Sequence, residues 1–231
     1  MLEVKQAVVL CAGKGERMGE RFREIQKCTL KISEKPIAVQ IVENIVGCGI
    51  DEILILTGHK AEQVEECFRN LTIKEALRFI YCGDPYKIPM SALKTLIRAK
   101  EFIREPFLCV HGNILFHRIA IENVIELFRY YQSFVAMSIA RQELPRPTHS
   151  KVKYDENLYV TQISKTEPSP ATYMGIDILS ENFLRYSEQS SLPYLYVLFQ
   201  KILSENIKIK AVLYDQKWAH ITTEEDLDLK L

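Results

Sequence analysis

The sequence predicts an α/β fold in which helices pack against a mostly parallel β-sheet. Short apolar segments alternate with segments of helical periodicity through the first half of the chain, and the first two apolar segments end at Gly13 and Gly58. Parallel strands that are buried on both faces have continuous apolar sequences, and a crossover helix joins each pair. The chain has 231 residues, of which 47% are hydrophobic. These values suit one well-buried domain, so we expect a single domain over residues 1–231.

The first half of the sequence contains four predicted strands separated by three predicted helices. The strands are expected at residues 6–11, 53–57, 77–82 and 107–111, and the helices at 36–46, 61–70 and 91–104. In the first helix, Ile37, Ile41 and Ile45 recur at helical spacing after Pro36, a residue that suits a first helical turn. This order of elements predicts parallel strands joined by right-handed crossovers.

The second half of the sequence has a mixed pattern. Strands are expected at 134–140, 173–179 and 207–213, helices at 180–186 and 193–206, and a hairpin over 151–165 that turns at residues 155–157. Residues 141–150 include Pro145 and Pro147 and lack an apolar period, so they are predicted to form a mobile loop. The composition does not change along the chain in a way that would divide it into two domains.

The charge balance disfavours several classes of protein. The 30 basic and 30 acidic residues give a formal net charge of zero, whereas nucleic-acid-binding proteins usually carry a basic excess. No apolar run reaches the roughly 20 residues that a membrane helix needs, and the first residues do not resemble a signal peptide. The six cysteines form no C-x-x-C pair, which is typical of reduced thiols. We therefore expect a cytoplasmic protein that binds neither nucleic acid nor membranes.

A glycine-containing loop follows the first predicted strand. Gly13 and Gly15 allow the backbone to approach a phosphate closely and to direct N–H groups at the anion. Arg17 and Lys27 add cationic donors, and the Arg17 guanidinium can bind a phosphate with two N–H groups. The P-loop motif is absent from the sequence, and Met18 occupies the place of the third glycine of a dinucleotide-binding motif. An ordinary turn with solvated charges is the alternative to a phosphate site.

Several segments, taken in order, resemble the motifs of one enzyme family. They are L-C-A-G-K-G-E-R-M at residues 10–18, Q-K-C-T-L-K-I at 26–32, E-K-P-I at 34–37, I-L-I-L-T-G-H at 53–59, F-L-C-V-H-G-N at 107–113 and W-A-H-I-T-T-E-E-D-L at 218–227. The chain is similar to the nucleotidyltransferases that join a nucleoside triphosphate to a phosphorylated sugar or alcohol. The resemblance implies a three-layer αβα, Rossmann-like fold with a mixed, mostly parallel sheet, of the nucleotide-diphospho-sugar transferase type.

The resemblance also implies roles for individual residues. The expected contacts are Leu10, Ala12, Gly13, Lys14 and Gly15 with the nucleotide, Arg17 and Lys27 with the triphosphate as catalytic residues, and Lys165 and Gly175 with the acceptor. An acceptor phosphate is already an anion, so catalysis requires positioning and charge neutralisation but no general base. The sequence departs from the family at Gln26, which replaces a proline, and at Ser164, which replaces a glutamate before Lys165. A solvent-facing hairpin lysine is the alternative for Lys165.

The family's metal site is altered in this sequence. The family binds Mg²⁺ with two aspartates, and the corresponding residues here are Asn113 and His220. An amide oxygen is a weaker ligand than a carboxylate, and an imidazole suits Mn²⁺, Co²⁺ or Zn²⁺ better than Mg²⁺. We therefore expect a divalent metal, Mg²⁺ or Mn²⁺, with more turnover in Mn²⁺. Further candidate ligands are His111 and His117 for a transition metal, and Asp84, Asp177 and Asp215 as substitute carboxylates.

Three functions are consistent with the sequence. The first is an active nucleotidyltransferase for a nucleoside triphosphate and a phosphorylated sugar, polyol or amino-alcohol, and the second is a catalytically impaired relative with a binding or regulatory role. The third is a nucleotide-sugar glycosyltransferase, whose D-x-D motif is matched only at residues 226–228.

The segment at residues 81–93 bears on the choice of base. It resembles cytidylyltransferases for phosphocholine or inositol phosphate, so CTP is the expected nucleotide, with Asp84 and Ser91 at the nucleotide site. A structural loop and a helix cap explain Asp84 and Ser91 equally well. The expected partners are therefore a nucleoside triphosphate and a phosphorylated small molecule, and the sequence leaves a homo-oligomer open.

Overall fold

The predicted α/β fold is confirmed in the computed structural model, which describes residues 3–71, 76–141 and 149–228. The helices are α1 (Ile37–Gly47), α2 (Ala61–Phe68), α3 (Ala92–Arg98), α4 (Ile119–Tyr131), α5 (Phe183–Ser190) and α6 (Leu195–Ser204). The strands are β1 (Gln6–Cys11), β2 (Lys31–Ile32), β3 (Lys35–Pro36), β4 (Glu52–Thr57), β5 (Leu77–Tyr81), β6 (Phe107–His111), β7 (Ile114–Leu115), β8 (Val135–Arg141), β9 (Lys151–Tyr154), β10 (Val160–Ser164), β11 (Ala171–Leu179), β12 (Ile209–Tyr214) and β13 (Ala219–His220). No helix in the described ranges is both long and apolar enough to cross a bilayer.

One mixed sheet, with nine strands in the described part of the chain, organises the fold. Its strands follow the order β10-β9-β11-β6-β1-β4-β5, and β8 pairs with β11 on one side and β12 on the other. Strands β6, β1, β4 and β5 are parallel to one another, whereas β11 is antiparallel to both β6 and β8. Leu10 at the end of β1 lies opposite His111 at the end of β6. The loops that follow these two strands therefore start side by side.

Two hydrophobic cores cover the two faces of this sheet. Val8 and Val9 are neighbours on β1, and they are fully buried in different cores because successive side chains of a strand point to opposite faces. Helices α1, α2 and α4 contribute buried side chains to the core that contains Val9, and α3, α5 and α6 contribute to the core that contains Val8. The molecule therefore has the three αβα layers that the family resemblance implied.

Helix α4 is an element that the sequence analysis did not predict. Its buried residues Ile121, Val124, Ile125 and Phe128 follow the spacing of one helical face, so the signal was present in the sequence. Other predicted elements are present with shifted ends. The helix predicted at 180–186 is α5, and the one predicted at 91–104 ends as α3 before a short 3-10 helix, Lys100–Phe102.

The predicted hairpin is also confirmed, as antiparallel β9 and β10. Its turn is held by the Asp155 carboxylate, whose Oδ1 atom accepts hydrogen bonds from the N–H groups of Asn157 and Tyr159, both at 2.9 Å. The loop predicted at residues 141–150 falls largely on 142–148, which lie outside the described residues.

Candidate active site

A cavity of about 700 Å³ opens where β1 and β6 end. In open α/β sheets this edge is where ligands usually bind, because the connecting loops diverge there. Thirteen predicted site residues line the cavity: Leu10, Ala12, Gly13, Lys14, Gly15, Arg17, Lys27, Ser91, His111, Asn113, Lys165, Gly175 and His220. The structure thus brings together residues that lie far apart in the chain.

The glycine loop forms one side of this cavity. A β-carbon added at Gly13 would meet no described atom within 4 Å, so the backbone there is open towards the cavity. Gly15 has a φ of 72°, a left-handed conformation that favours glycine, and its carbonyl accepts the Met18 N–H at 2.8 Å. Met18 is buried in the core. The residue that replaces the third glycine of a dinucleotide motif therefore fixes the far end of the loop by packing.

Gln26, which the sequence analysis named only as a departure from the family's proline, holds the glycine loop in the structure. Its buried amide nitrogen donates to three backbone carbonyls, of Cys11 at 2.9 Å, Gly13 at 3.1 Å and His59 at 2.8 Å. The Gln26 N–H in turn donates to the Gln63 side chain at 2.7 Å. A side-chain amide has two N–H groups, so the three carbonyls share them. Gln26 thereby ties the glycine loop to the end of β4 and positions the adjacent Lys27.

Three cations lie around the same space. Arg17, Lys27 and Lys165 all line the cavity, and none forms an ion pair with another described residue. Burial, followed by the Arg17 charge, lowers the pKa of Lys27 to about 8, and the same two causes lower the pKa of Lys165. Lys14 also lines the cavity, but it has an ion-pair partner, because its ammonium lies 3.2 Å from the Glu16 carboxylate. We refer to Gly13, Gly15, Arg17 and Lys27 as the phosphate wall.

The cavity is also lined by three histidines and an asparagine, which we call the histidine wall: His111, Asn113, His149 and His220. The His149 and His220 rings stack with their centroids 5.0 Å apart, and the His111 centroid lies 6.4 Å from that of His220. Burial lowers the pKa of His111 to about 4, and burial together with the neighbouring His149 holds the pKa of His220 well below its usual value. These two imidazoles are therefore neutral at pH 7.

The pairing of β7 with β13 places Asn113 and His220 next to each other. His220 lies opposite Ile114, and the Asn113 carbonyl accepts the Ile221 N–H at 2.8 Å. The Asn113 side-chain amide donates to the Ile221 carbonyl at 2.7 Å. An aspartate could not donate this hydrogen bond. Asn113 therefore joins the two chain segments at the position where the family resemblance implied a metal-binding carboxylate.

These residues do not fit a Mg²⁺ site. Mg²⁺ requires hard oxygen ligands, commonly carboxylates, whereas the histidine wall offers one amide oxygen and imidazoles. Glu16 is the one carboxylate residue that lines the cavity in the described part of the chain, and it is paired with Lys14. Within the described ranges, no group of three or more His, Cys, Asp or Glu residues has the arrangement of a metal site.

The other candidate ligands lie elsewhere. Asp177 is fully buried on β11 and accepts a hydrogen bond from the Tyr173 hydroxyl, and burial raises its pKa to about 8. Asp215 and His117 are exposed and do not line the cavity. No substitute carboxylate among the described residues therefore reaches the histidine wall.

Gly175 lies on β11 against the histidine wall. It has a φ of 88°, and a β-carbon added there would lie 2.7 Å from the His111 Cγ atom. The pairing register between β11 and β8 shifts between Tyr173 and Asp177, on either side of this glycine. A residue without a side chain is required here so that the His111 ring can contact the strand.

Asp84 and Ser91 have structural roles. Asp84 does not line this cavity; its carboxylate accepts the Tyr86 N–H at 2.9 Å and lies 3.8 Å from the Lys87 ammonium. Ser91 lines the cavity, but its hydroxyl accepts the Lys94 N–H at 3.2 Å as the N-cap of α3 and donates to the Pro193 carbonyl at 2.5 Å. The turn and the helix cap that the sequence left open as alternatives are both present.

A family model described as a MobA-like NTP transferase domain matches residues 7–164. The chain belongs to this family. The match contains the glycine loop, Gln26, Lys27 and Asn113, and it ends at Ser164, immediately before Lys165. The nucleotidyltransferase resemblance found in the sequence is therefore confirmed.

Curated relatives share part of their length with this chain. The Bifunctional protein GlmU of Methanocaldococcus jannaschii is 28% identical over 163 residues, which cover 70% of this chain and 36% of that protein. The probable glucose-1-phosphate cytidylyltransferase of Bacillus subtilis is 30% identical over 55% of this chain and 56% of its own length. The CMP-5'-(3-aminopropyl)phosphonate synthase of Streptomyces rubellomurinus is 25% identical over 52% of this chain and 19% of its own length.

Solved structures share the fold over nearly the whole chain. The inositol-1-phosphate CTP transferase from T. maritima aligns with a TM-score of 0.83 and 17% identity, covering 97% of this chain and 92% of that one. A UDP-glucose pyrophosphorylase in complex with UDP-glucose aligns with a TM-score of 0.81 and 18% identity, covering 97% of this chain and 96% of that one. The fold is therefore that of nucleotide-diphospho-sugar transferases.

Proposed function

We propose that the protein transfers a cytidylyl group from CTP to a phosphorylated small molecule and releases pyrophosphate. The observation that carries this proposal is the cavity in which the glycine loop and the three cations Arg17, Lys27 and Lys165 come together. A loop with open backbone beside cationic side chains suits a polyphosphate, because it offers N–H donors and positive charge to the same anion. The size and position of the cavity suit a nucleotide as well.

The reaction can be assigned to particular residues. A phosphate oxygen of the acceptor attacks the α-phosphorus of the triphosphate, and the bond from that phosphorus to the pyrophosphate oxygen breaks, with its electrons leaving on pyrophosphate. Arg17 and Lys27 hold the triphosphate and neutralise the charge that develops on the leaving group. Lys165 binds the acceptor phosphate, beside the Tyr196 ring at 4.9 Å. No general base is required, since the acceptor is already ionised.

The choice of CTP is supported by the names of the relatives. Three of them, from Bacillus subtilis, Streptomyces rubellomurinus and T. maritima, are named for cytidylyl chemistry. Their named substrates or products contain a sugar phosphate, an aminoalkyl phosphonate and an inositol phosphate. What these compounds share is a phosphorus oxyanion, which is the group that Lys165 would bind. We propose an acceptor of this class, with a sugar, polyol or amino-alcohol attached.

A second candidate function is favoured by the histidine wall. Asn113 and His220 remove two carboxylates from the site that the family uses for metal-assisted catalysis, so the protein could bind a nucleotide and regulate a partner without turnover. The D-x-D segment of the glycosyltransferase hypothesis has a structural explanation instead. The Asp226 carboxylate accepts hydrogen bonds from Thr222 and Thr223 within its own turn.

Two measurements test the proposal. Thermal unfolding is compared with CTP, UTP, dTTP, ATP and GTP, and CTP is expected to raise the melting temperature most, because a ligand that binds the native state stabilises it. Pyrophosphate release is then measured with CTP and a panel of sugar, polyol and amino-alcohol phosphates. The expected product is a CDP-linked acceptor detected by mass spectrometry. Binding of CTP without release for any acceptor would favour the regulatory function, and equal shifts with all five nucleotides would contradict CTP.

A further inference from the structure

We propose that this cavity binds its triphosphate without a divalent metal ion, and that Arg17, Lys27 and Lys165 supply the positive charge instead. The inference rests on the proposed function, since it concerns the same cavity and the same ligand. It departs from the family resemblance, which implied a metal held by two aspartates.

The phosphate wall concentrates positive charge, because neither Arg17 nor Lys27 forms an ion pair with a described residue, and the Arg17 charge affects the pKa of Lys27 more than the opposing Asp226 carboxylate does. Arg17 is close enough to both lysines to disfavour their charged forms. Like charges held together in a partly dry cavity repel one another, and an anion relieves this repulsion when it binds. Lys27 is the most buried of the three cations, beside the glycine loop, so its charge is the least screened by solvent. The cations of the protein therefore attract a polyanion in the absence of a metal ion.

The histidine wall lacks the negative charge that would retain a metal ion. Its Asn113 amide donates to the Ile221 carbonyl and so joins β7 to the segment after β13, and its other members, His111, His149 and His220, have no carboxylate. A Mg²⁺ ion would add two positive charges to a cavity whose one described carboxylate, that of Glu16, is already paired with Lys14. Without a carboxylate to compensate, the metal and the three cations compete for the same phosphate oxygens.

The backbone supports the same assignment. Gln26 holds the Gly13 carbonyl, and the Gly13 backbone faces the open cavity. The loop is therefore fixed in position before the ligand binds, and its N–H groups can contact phosphate oxygens that a metal would otherwise occupy. Preorganised donors of this kind stabilise an anion without reorganisation.

The test is isothermal titration calorimetry of the full chain with CTP, in EDTA, in excess Mg²⁺ and in excess Mn²⁺. We expect the dissociation constant in EDTA to lie within about fivefold of the values with metal, or to be lower, since the cations already neutralise the triphosphate. Binding that is more than about fivefold tighter with either metal would overturn the inference but leave the proposed function intact. The absence of binding to any nucleoside triphosphate in all three buffers would overturn both.

A matched pair of variants provides a second test in EDTA. Lys27→Met removes the buried cation of the phosphate wall, and Lys87→Met removes an exposed lysine that lies outside the cavity and pairs with Asp84. We expect Lys27→Met to weaken metal-free CTP binding by at least about tenfold, because a charge-assisted contact is lost, and Lys87→Met to leave it unchanged. Equal affinities of the two variants would overturn the assignment of Lys27, and circular dichroism of both variants checks that they are folded.

Discussion

The phosphate wall and the histidine wall face the same cavity but differ in how they are held and charged. The phosphate wall presents bare backbone and cations, and the residue types there match the family motif at Gly13, Gly15, Arg17 and Lys27. The histidine wall presents neutral rings and an amide where the family resemblance implied carboxylates. The residues that match the family's glycine-loop motif are thus present on one wall, whereas the two aspartates that the resemblance implied are absent from the other.

The two walls also obtain their rigidity from different sources. Gln26 holds the phosphate wall through three backbone carbonyls, so the loop geometry depends on one buried side chain. The histidine wall is held by ring stacking between His149 and His220 and by the close contact of His111 with Gly175. Substitutions can therefore disturb one wall at a time, and four experiments make use of this.

The largest effect on stability is expected from Gln26→Glu, which removes the hydrogen bonds that hold the glycine loop of the phosphate wall. A glutamate side chain has nearly the same shape as glutamine. It replaces the amide donor, however, by a carboxylate that would face three carbonyl oxygens in a buried site. We expect the free energy of unfolding, measured with urea, to fall by at least about 3 kcal/mol.

The matched control for this variant is Gln200→Glu. Gln200 is exposed and donates one hydrogen bond, to the Ile163 carbonyl at 2.7 Å. The same change of charge there is expected to cost less than about 1 kcal/mol. Similar losses for the two variants would show that the network around Gln26 does not stabilise the loop.

The next largest effect is expected from Gly175→Ala, which breaks the histidine wall. The new β-carbon would lie 2.7 Å from the His111 ring, and the residue would have to keep a φ of 88°. We expect the free energy of unfolding to fall by about 2–4 kcal/mol, from steric overlap and backbone strain together. Gly49→Ala is the control, because Gly49 has a φ of 79° and a β-carbon there would meet no described atom within 4 Å. An equal loss of unfolding free energy in both variants would show that steric overlap with the His111 ring does not destabilise the Gly175→Ala protein.

A double substitution sharpens the comparison by restoring carboxylates to the histidine wall. In Asn113→Asp/His220→Asp we expect Mg²⁺ to tighten CTP binding by at least about tenfold relative to EDTA, since two hard anionic ligands are restored. The matched charge control is His117→Asp, because His117 is exposed and outside the cavity. Some loss of stability is also expected, because an aspartate in place of Asn113 could not donate to the Ile221 carbonyl. A double variant that folds yet binds CTP equally in both buffers would argue that the cavity has diverged beyond these two positions.

The smallest effect is a pH dependence of CTP binding in EDTA. Burial lowers the pKa of Lys27 to about 8, so this lysine is charged at pH 7 and loses its proton as the pH rises towards 9. The affinity is therefore expected to fall with rising pH, by up to about tenfold between pH 7 and 9. His111 and His220 stay neutral throughout this interval and do not contribute.

The control for this titration is Lys27→Met, which is expected to remove most of the pH dependence. It is needed because Asp177, beneath the histidine wall, also has a pKa raised to about 8 by burial. If the affinity of Lys27→Met falls with pH as steeply as that of the unsubstituted protein, the titrating group is not Lys27.

The sequence predicted the parallel core of the fold well, since each of its strands is a continuous apolar run. Strands β1, β4, β5 and β6 lie at the expected positions to within one or two residues. Helix α4 was missed although its apolar residues recur at helical spacing, and the ends of α3 and α5 moved, because helix ends depend on caps and on tertiary packing.

Only part of the candidate site was predicted correctly from the sequence. The glycine loop and its cations form a local motif, so they could be found along the chain. Gln26 was recognised only as a departure from the family's proline, and its residue type does not show that it is buried or that it holds the loop. His149 was placed only within a predicted loop, and its stacking on His220 joins residues 71 positions apart. Asp84 was expected at the nucleotide site, but it lies outside the cavity in a turn of its own.

By itself, the sequence determined the parallel strands β1, β4, β5 and β6, the glycine loop, the cations around it and the loss of two carboxylates at Asn113 and His220. These features follow from local patterning and residue type. Only the tertiary structure decided that Gln26 holds the loop, that Asn113 joins β7 to the segment after β13 through the Ile221 carbonyl, and that the histidine side chains line one cavity. The physical reason is that hydrogen bonding, burial and the resulting pKa shifts depend on distances between residues far apart in the chain, which the folded sheet alone establishes.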